Sequence, residues 1–273
     1  MVRQTKIHVL NDTSLFDSMQ LQLRPILTIG MRCWAQWSSE NLHSFPVLIK
    51  EHRFGLVVVG AQVVHERPYD FFSASGFDVV GHAEVVQERR LILGHMSFLH
   101  GEERFLSLRI TCRPVAMAGG GSFAAMPTAI EGHLLDKLAP EVTNRRIERE
   151  VPALLAALRP EQQVAEALET HRLHRHDCEA ADQWSYIEIG ARAASARESM
   201  VSRASKELRP RLQAGLTTPV RSVDLEIKRP LFLFDELHVR TQAFVQDERL
   251  TFVHTVQSKM GGRHDHAVMV ERF

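Results

Sequence analysis

Cysteine is scarce in this chain. There are 3 in 273 residues, Cys33, Cys112 and Cys178, odd in number and widely spaced, with no C-x-x-C pair. Such a pattern builds neither a disulfide framework nor a common zinc site, and it predicts a reducing, cytoplasmic compartment. Net charge is missing too. The 33 Lys and Arg balance 33 Asp and Glu to a formal +0, which argues against a general nucleic-acid binder. No apolar run approaches the ~20 residues that cross a bilayer, so no membrane partner is expected. Residues 1–16 lack the long apolar core and small-residue cleavage site of a signal peptide. No Gly-Lys-Ser/Thr follows Gly119 to Gly121, so those glycines are no phosphate loop. The G-x-S-x-G nucleophile elbow is also absent. Tyrosine occurs 2 times, at Tyr69 and Tyr186.

What is present is ordinary globular composition, 44% hydrophobic and 24% charged, at a length that suits one large domain or two fused small ones. The most patterned stretch runs from His176 to Glu198. It opens as an acidic loop with Asp177, Glu179 and Asp182. It then becomes a helix, Trp184 to Leu208, because Trp184, Ile187, Ala191, Ala194, Val201 and Leu208 step by threes and fours. Asp182 is the expected N-cap. Glu198 falls in this apolar stripe, which predicts a buried carboxylate with an arginine or backbone N–H beside it.

Leu21 to Ile29 reads as one or two short strands. A first helix is expected near Ser38 to Lys50, capped by Ser38 or Ser39, although Pro46 should kink or end it. Strand-like runs follow at Phe54 to Val64, Phe71 to Val80, Val85 to Phe98 and Phe105 to Val115, with a hairpin connection at His100 to Glu103. Residues 119–170 are proline-punctuated, with short helices at Leu134 to Leu138 and Val151 to Leu158, and read as a linker. Beyond it, His171 to Cys178 reads as a leading strand. Strands at Val220 to Lys228, Leu237 to Val245, Leu250 to Gln257 and Ala267 to Phe273 follow the second helix. Two segments match in pattern: Val86 to Arg113, with a Gly-Glu-Glu-Arg turn, and Phe232 to Lys259, with a Gln-Asp-Glu-Arg turn. A helix followed by four strands, twice, is an α+β double hot-dog. The expected halves are residues 1–118 and 171–273, each a long helix wrapped by an antiparallel sheet.

Several residues carry chemistry. Tyr69 enters a strand after the Arg67-Pro68 turn, where a phenol can act as general acid, hydrogen-bond donor or acyl acceptor; a half-buried packing tyrosine is the plainer alternative. Asp177, Glu179 and Asp182 precede a helix N-terminus, where carboxylates can activate water, or simply cap and solvate the loop. His171, His174, His176 and Cys178 lack zinc-site spacing, so no metal is expected there.

These stretches resemble a known group: the double hot-dog proteins of polyketide and hybrid-peptide biosynthesis, typified by the leinamycin-type bifunctional acyltransferase/decarboxylase, with an uncharacterised sister family. The resemblance lies in Gly30-Met31 leading into Ser38 to Leu42, in Pro68 to Phe72, and in Asp177 to Glu198. The loop Asp177 to Asp182 departs from the group's Asp-x-Asn-Gly-x-Gly pattern, lacking the asparagine and both glycines. The resemblance implies that a malonyl-type acyl group passes from acyl-CoA to Tyr69, loses carbon dioxide, and moves to an acyl-carrier-protein thiol. It makes Tyr69 and Asp177 catalytic and places Ser39, Asn41, Asp182 and Tyr186 against substrate. No cofactor is implied beyond the acyl-CoA and phosphopantetheine thioesters. The protein would be a monomer acting as a pseudo-dimer, or a homodimer. Two other readings stand beside this one: a hot-dog acyl thioesterase with Asp177 or Glu188 as base, and a catalytically silent partner that docks on a carrier protein.

Overall fold

The structure is a computed structural model that describes residues 2–118, 125–143, 145–258 and 264–273. Gly119 to Gly121 lie outside the described residues. The chain forms two compact units, Met1–Phe16 with Pro25–Glu148, and Asp17–Arg24 with Arg149–Phe273.

The first unit contains strands β1 (Gln4–Leu10), β2 (Phe54–His65), β3 (Gly76–Val86), β4 (Leu91–His100), β5 (Glu103–Met117) and β6 (Ala125–Pro127). They pair antiparallel in the order β1-β3-β4-β5-β2, with β6 added to β5. The second unit contains β7 (Gln163–Arg172), β8 (Ser222–Ile227), β9 (Glu236–Gln246), β10 (Arg249–Ser258) and β11 (Asp265–Arg272). These pair antiparallel in the order β7-β9-β10-β11-β8. Taken in chain order within each unit, both sheets run first, third, fourth, fifth, second. The hairpin β3–β4, with Gln87 to Arg89 in the left-handed region, is therefore the counterpart of β9–β10, with Asp247 and Glu248 in the same region. The expected match of the β4–β5 hairpin to β9–β10 is one hairpin out of step. Charge and alternation are alike in all these hairpins, and only strand order tells them apart.

Helix α1 spans Leu23–Asn41 and buries Ile26, Leu27, Ile29, Gly30, Cys33, Trp34, Trp37 and Ser38. The expected strands at Leu21 to Ile29 are thus mostly the start of this helix. The alternation of Leu21, Gln22, Leu23 and Arg24 imitates a strand, and Pro25 is harmless there because first-turn N–H groups have no helical partner. The expected helix at Ser38 to Lys50 is two helices. α1 ends at Asn41, and α2 (Phe45–His52) starts afresh with Pro46 in its first turn, which resolves the proline difficulty. α1 lies close on the sheet where glycines clear the way. A Cβ on Gly81 would stand 2.7 Å from Cys33 Sγ, and one on Gly94 would stand 3.0 Å from the Trp34 ring. α2 and α3 (Gly132–Leu138) close a second apolar cluster around Trp34, Trp37, Leu48, Phe54, Leu134 and Leu138.

In the second unit α4 (Glu150–Ala157) sends Val151 and Leu154, with Leu158 just beyond its end, onto Phe244, Val253, Val268 and Val270 of the sheet. α5 (Tyr186–Arg203) buries Tyr186, Ile189, Gly190, Ala193, Ala196, Met200 and Val201. This stripe is rotated from the expected one, and Glu198 is exposed on the other side. Alanines occur on every face of this helix, so alanine spacing does not define the buried side. Arg197 turns inward instead. Its Nη1 donates to Glu271 Oε2 at 2.5 Å, and His254 Nε2 lies 3.2 Å from the same oxygen, all three side chains being buried or nearly so. β7 also begins earlier than the expected strand: it starts at Gln163, and Arg175–Asp177 is a 3-10 turn rather than strand.

Candidate active site

The acidic loop before α5 is built on two turns. After β7 the 3-10 turn Arg175–Asp177 carries Asp177 into the interior. Cys178 then pairs with Trp184 across a small hairpin, which Glu179 N–H closes on Gln183 O at 2.8 Å and Asp182 N–H on Glu179 O at 3.0 Å. Asp182 has φ +53, a left-handed conformation tolerated best by Asp, Asn and Gly. The backbone is tied to the loop beyond β8: Trp184 N–H donates to Leu231 O at 2.8 Å, and Leu233 N–H to Asp182 O at 2.9 Å. The helix is capped by Ser185, whose hydroxyl accepts from Ile187 N–H. Asp182, the expected cap, cannot do this because it sits three residues too early, and its carboxylate pairs with Arg175 at 3.0 Å in solvent.

The remaining carboxylates of the loop and the helix start have different fates. Asp177 is 1% exposed. One oxygen accepts from His174 N–H at 2.9 Å, and the other accepts from Arg192 at 2.7 Å, one α5 turn and more away. Burial alone would raise its pKa; the Arg192 and His174 hydrogen bonds outweigh that and hold it below the usual range. Asp177 is therefore a locked, charged strut between loop and helix. Glu188, in the first turn of α5, is occupied by Arg24 at 2.8 Å. Glu179 differs from both. It reaches solvent at the loop tip, yet the protein crowded around it desolvates the carboxyl and holds its pKa above the usual range. Among the described residues no ion pair or hydrogen bond reaches its carboxylate. An unpaired carboxylate of raised pKa, in the loop that leads into a helix, is a candidate general base. In the sequence Glu179 is one of three like acids, and only the fold shows that Asp177 and Asp182 find arginines while it does not.

Tyr186 is buried on the inner face of α5. Tyr69 lies in the loop before β3, buried among Phe16, Phe77 and Phe105, its ring stacked on Phe105 at 3.9 Å. Its hydroxyl donates to Gly76 O at 3.3 Å and accepts from Asn11 at 3.4 Å. Burial pushes its pKa above 10.0, with Asn11 opposing. In the same unit, Ser39 is exposed on the last turn of α1. Asn41 ends that helix, its amide donating to Trp37 O at 2.9 Å. Tyr69 on one side and Ser39 and Asn41 on the other share no partner. Asp177, Asp182 and Tyr186, in contrast, fall within one loop and helix start.

No family model matches the sequence, and no curated protein matches it. Solved structures do match over nearly the whole chain. A protein assigned as an oleoyl thioesterase from Lactobacillus plantarum matches with TM-score 0.71 and 8% identity over 99% of this chain and 96% of that one. The 12:0-ACP thioesterase of Umbellularia californica matches at 0.68 and 9% over 98% and 96%. An acyl-ACP thioesterase from Bacteroides thetaiotaomicron matches at 0.65 and 13% over 98% and 96%. The chain has the double hot-dog fold. At these identities the likeness extends to the fold, in which a long helix and an antiparallel sheet occur in each unit. No helix among the described residues is long and apolar enough to cross a membrane.

Proposed function

We propose that this double hot-dog protein hydrolyses acyl thioesters carried on phosphopantetheine, as acyl-CoA or acyl-carrier protein, with Glu179 as general base. The observation that carries the reading is Glu179 itself: an unpaired carboxylate in the hairpin that leads into the long helix, its pKa raised by the protein around it. The full-length fold likeness to three thioesterases supports the substrate class. Glu179 takes a proton from water as the oxygen attacks the thioester carbonyl. The dipole at the start of α5 favours the negative charge that develops on the carbonyl oxygen. The tetrahedral intermediate collapses, the carbon–sulfur bond breaks, and the thiolate takes the proton from Glu179. Asp177 does not exchange protons in this scheme; with Arg192 it fixes the loop. Tyr186 and Asp182 set the loop's inner and outer edges.

Acyl transfer through Tyr69, with or without decarboxylation and a place in polyketide or hybrid-peptide biosynthesis, is the weaker reading. A tyrosine raised above pKa 10.0 and stacked on Phe105 is a poor nucleophile. Mass spectrometry after incubation with methylmalonyl-CoA and with a medium-chain acyl-CoA separates the readings. Hydrolysis yields free acid and free CoA and leaves the protein mass unchanged. A covalent acyl adduct would replace this reading with acyl transfer, and intact thioester with a silent carrier-protein partner.

A further inference from the structure

Three histidines that hydrolysis does not use converge in the first unit. His43 follows α1, His52 is the last residue of α2, and His133 lies in the first turn of α3. One ring nitrogen from each lies within 4.8 Å of the other two. His133 Nε2 and His52 Nδ1 are 3.0 Å apart. The His52 ring sits between the other two, 4.5 Å from that of His43 and 4.7 Å from that of His133. Its second nitrogen, Nε2, is shut away from solvent and meets no hydrogen-bond partner. A cation already rests on the third ring: Lys137 Nζ is 2.8 Å from His43 Nε2 and donates to Leu42 O at 3.2 Å.

We propose that His43, His52 and His133 form a binding site for a divalent transition-metal cation, Zn²⁺ foremost, with water completing four-coordination. Imidazole suits zinc, and a tetrahedral ion with Zn–N of about 2.0–2.1 Å sets its ligand nitrogens roughly 3.4 Å apart. The His52–His133 pair is already inside that spacing, and side-chain rotation closes the remaining gap. Each neutral ring keeps its proton on the nitrogen turned away from the metal, so binding removes no proton. Lys137 stays on Leu42 O or swings into solvent as His43 takes the ion. The site joins three segments that the backbone holds separately: the α1–α2 connection, the end of α2, and α3. Zinc there acts as a clip on this corner of the unit, as expected of an ion that binds only the folded chain. His171, His174, His176 and Cys178 form no such converging group among the described residues.

The test uses the full chain, stripped with EDTA and titrated with Co²⁺, then with Zn²⁺. The expected result is the visible absorption of tetrahedral cobalt saturating at one ion per chain, its displacement by zinc, and a higher Tm with either metal. His133→Gln, at an exposed position, leaves the Tm of the metal-free protein unchanged and weakens cobalt affinity at least tenfold, about what losing even an outer-shell partner costs. Cys178→Ser leaves the affinity as it is. Absence of the absorption at stoichiometric cobalt overturns the proposal. So does a folded His133→Gln protein that binds cobalt as tightly as the parent, since the ion would then lie among other histidines.

Discussion

Replacing Glu271 by alanine should be among the most damaging single changes in the second unit. Glu271 is 2% exposed and sits between Arg197 and His254, neither of which can turn to water. Burial alone would push its carboxyl up. The charge on Arg197 and the hydrogen bond from His254 outweigh burial and take the pKa from 4.5 to about 2. At 1.36 kcal/mol per pH unit, that difference is worth about 3 kcal/mol of folded-state stability. Glu271→Ala removes this and leaves Arg197 buried without its counter-charge, a loss of about 3–5 kcal/mol. For a chain of this size that corresponds to a fall in Tm of roughly 6–20 °C. Because the folded pKa lies below the unfolded one, the stabilisation is complete above about pH 4.5 and lost as pH falls from there to about 2. Thermal melts of parent and variant across this range should therefore converge in acid. The double change Arg197→Met with Glu271→Leu should recover most of the loss, since apolar groups of similar size replace a buried pair at little cost. A Glu271→Ala protein melting within about 2 °C of the parent at pH 7 would refute the burial argument.

Other changes test other parts of the account. Gly94→Val should destabilise by about 1–3 kcal/mol, because its Cβ would press on the rigid Trp34 ring at 3.0 Å; an unchanged denaturation midpoint would mean that α1 sits farther from the sheet. Arg192→Ala should cost about 1–3 kcal/mol by stranding the buried Asp177, an effect present above pH 3.8 and fading below it; urea unfolding at pH 7 and pH 3 checks both the size and the sign. Tyr69→Phe removes two long hydrogen bonds and should cost no more than about 1 kcal/mol. Thioester hydrolysis should persist in that variant, and its disappearance would restore Tyr69 as the acyl acceptor.

Most strands were legible in the sequence because one face of each sheet meets a helix and the alternation of Phe77, Val79 and Gly81, or of Leu237, Val239 and Thr241, survives. The repeat of helix and sheet was legible for the same reason. Helix α1 was hidden because its approach, Leu21-Gln22-Leu23-Arg24, alternates like a strand and Pro25 interrupts the reading before a helical period can show. Glu198 was misplaced because α5 carries alanine all round, while the residue that does turn inward, Arg197, finds its partner 74 positions away. The loop before α5 was visible as acidic. Which acid stays unpaired depends on Arg192 meeting Asp177 and Arg175 meeting Asp182, a matter of three-dimensional placement. The histidine cluster was invisible for the same reason: His133 meets His52 across 81 positions of chain.

The most direct measurement is the initial rate of thiol release from acyl-CoA and acyl-carrier-protein substrates by the parent protein and by Glu179→Gln, followed with a thiol-reactive dye across pH. The parent should release thiol at a rate that rises with pH through a midpoint above 4.5, where the desolvated carboxyl loses its proton. Glu179→Gln keeps the shape of the loop and removes the base, so kcat should fall by about 10²–10⁴ while the Tm stays put. A Glu179→Gln protein that folds normally and hydrolyses at the parent rate would contradict the assignment of Glu179 as the base.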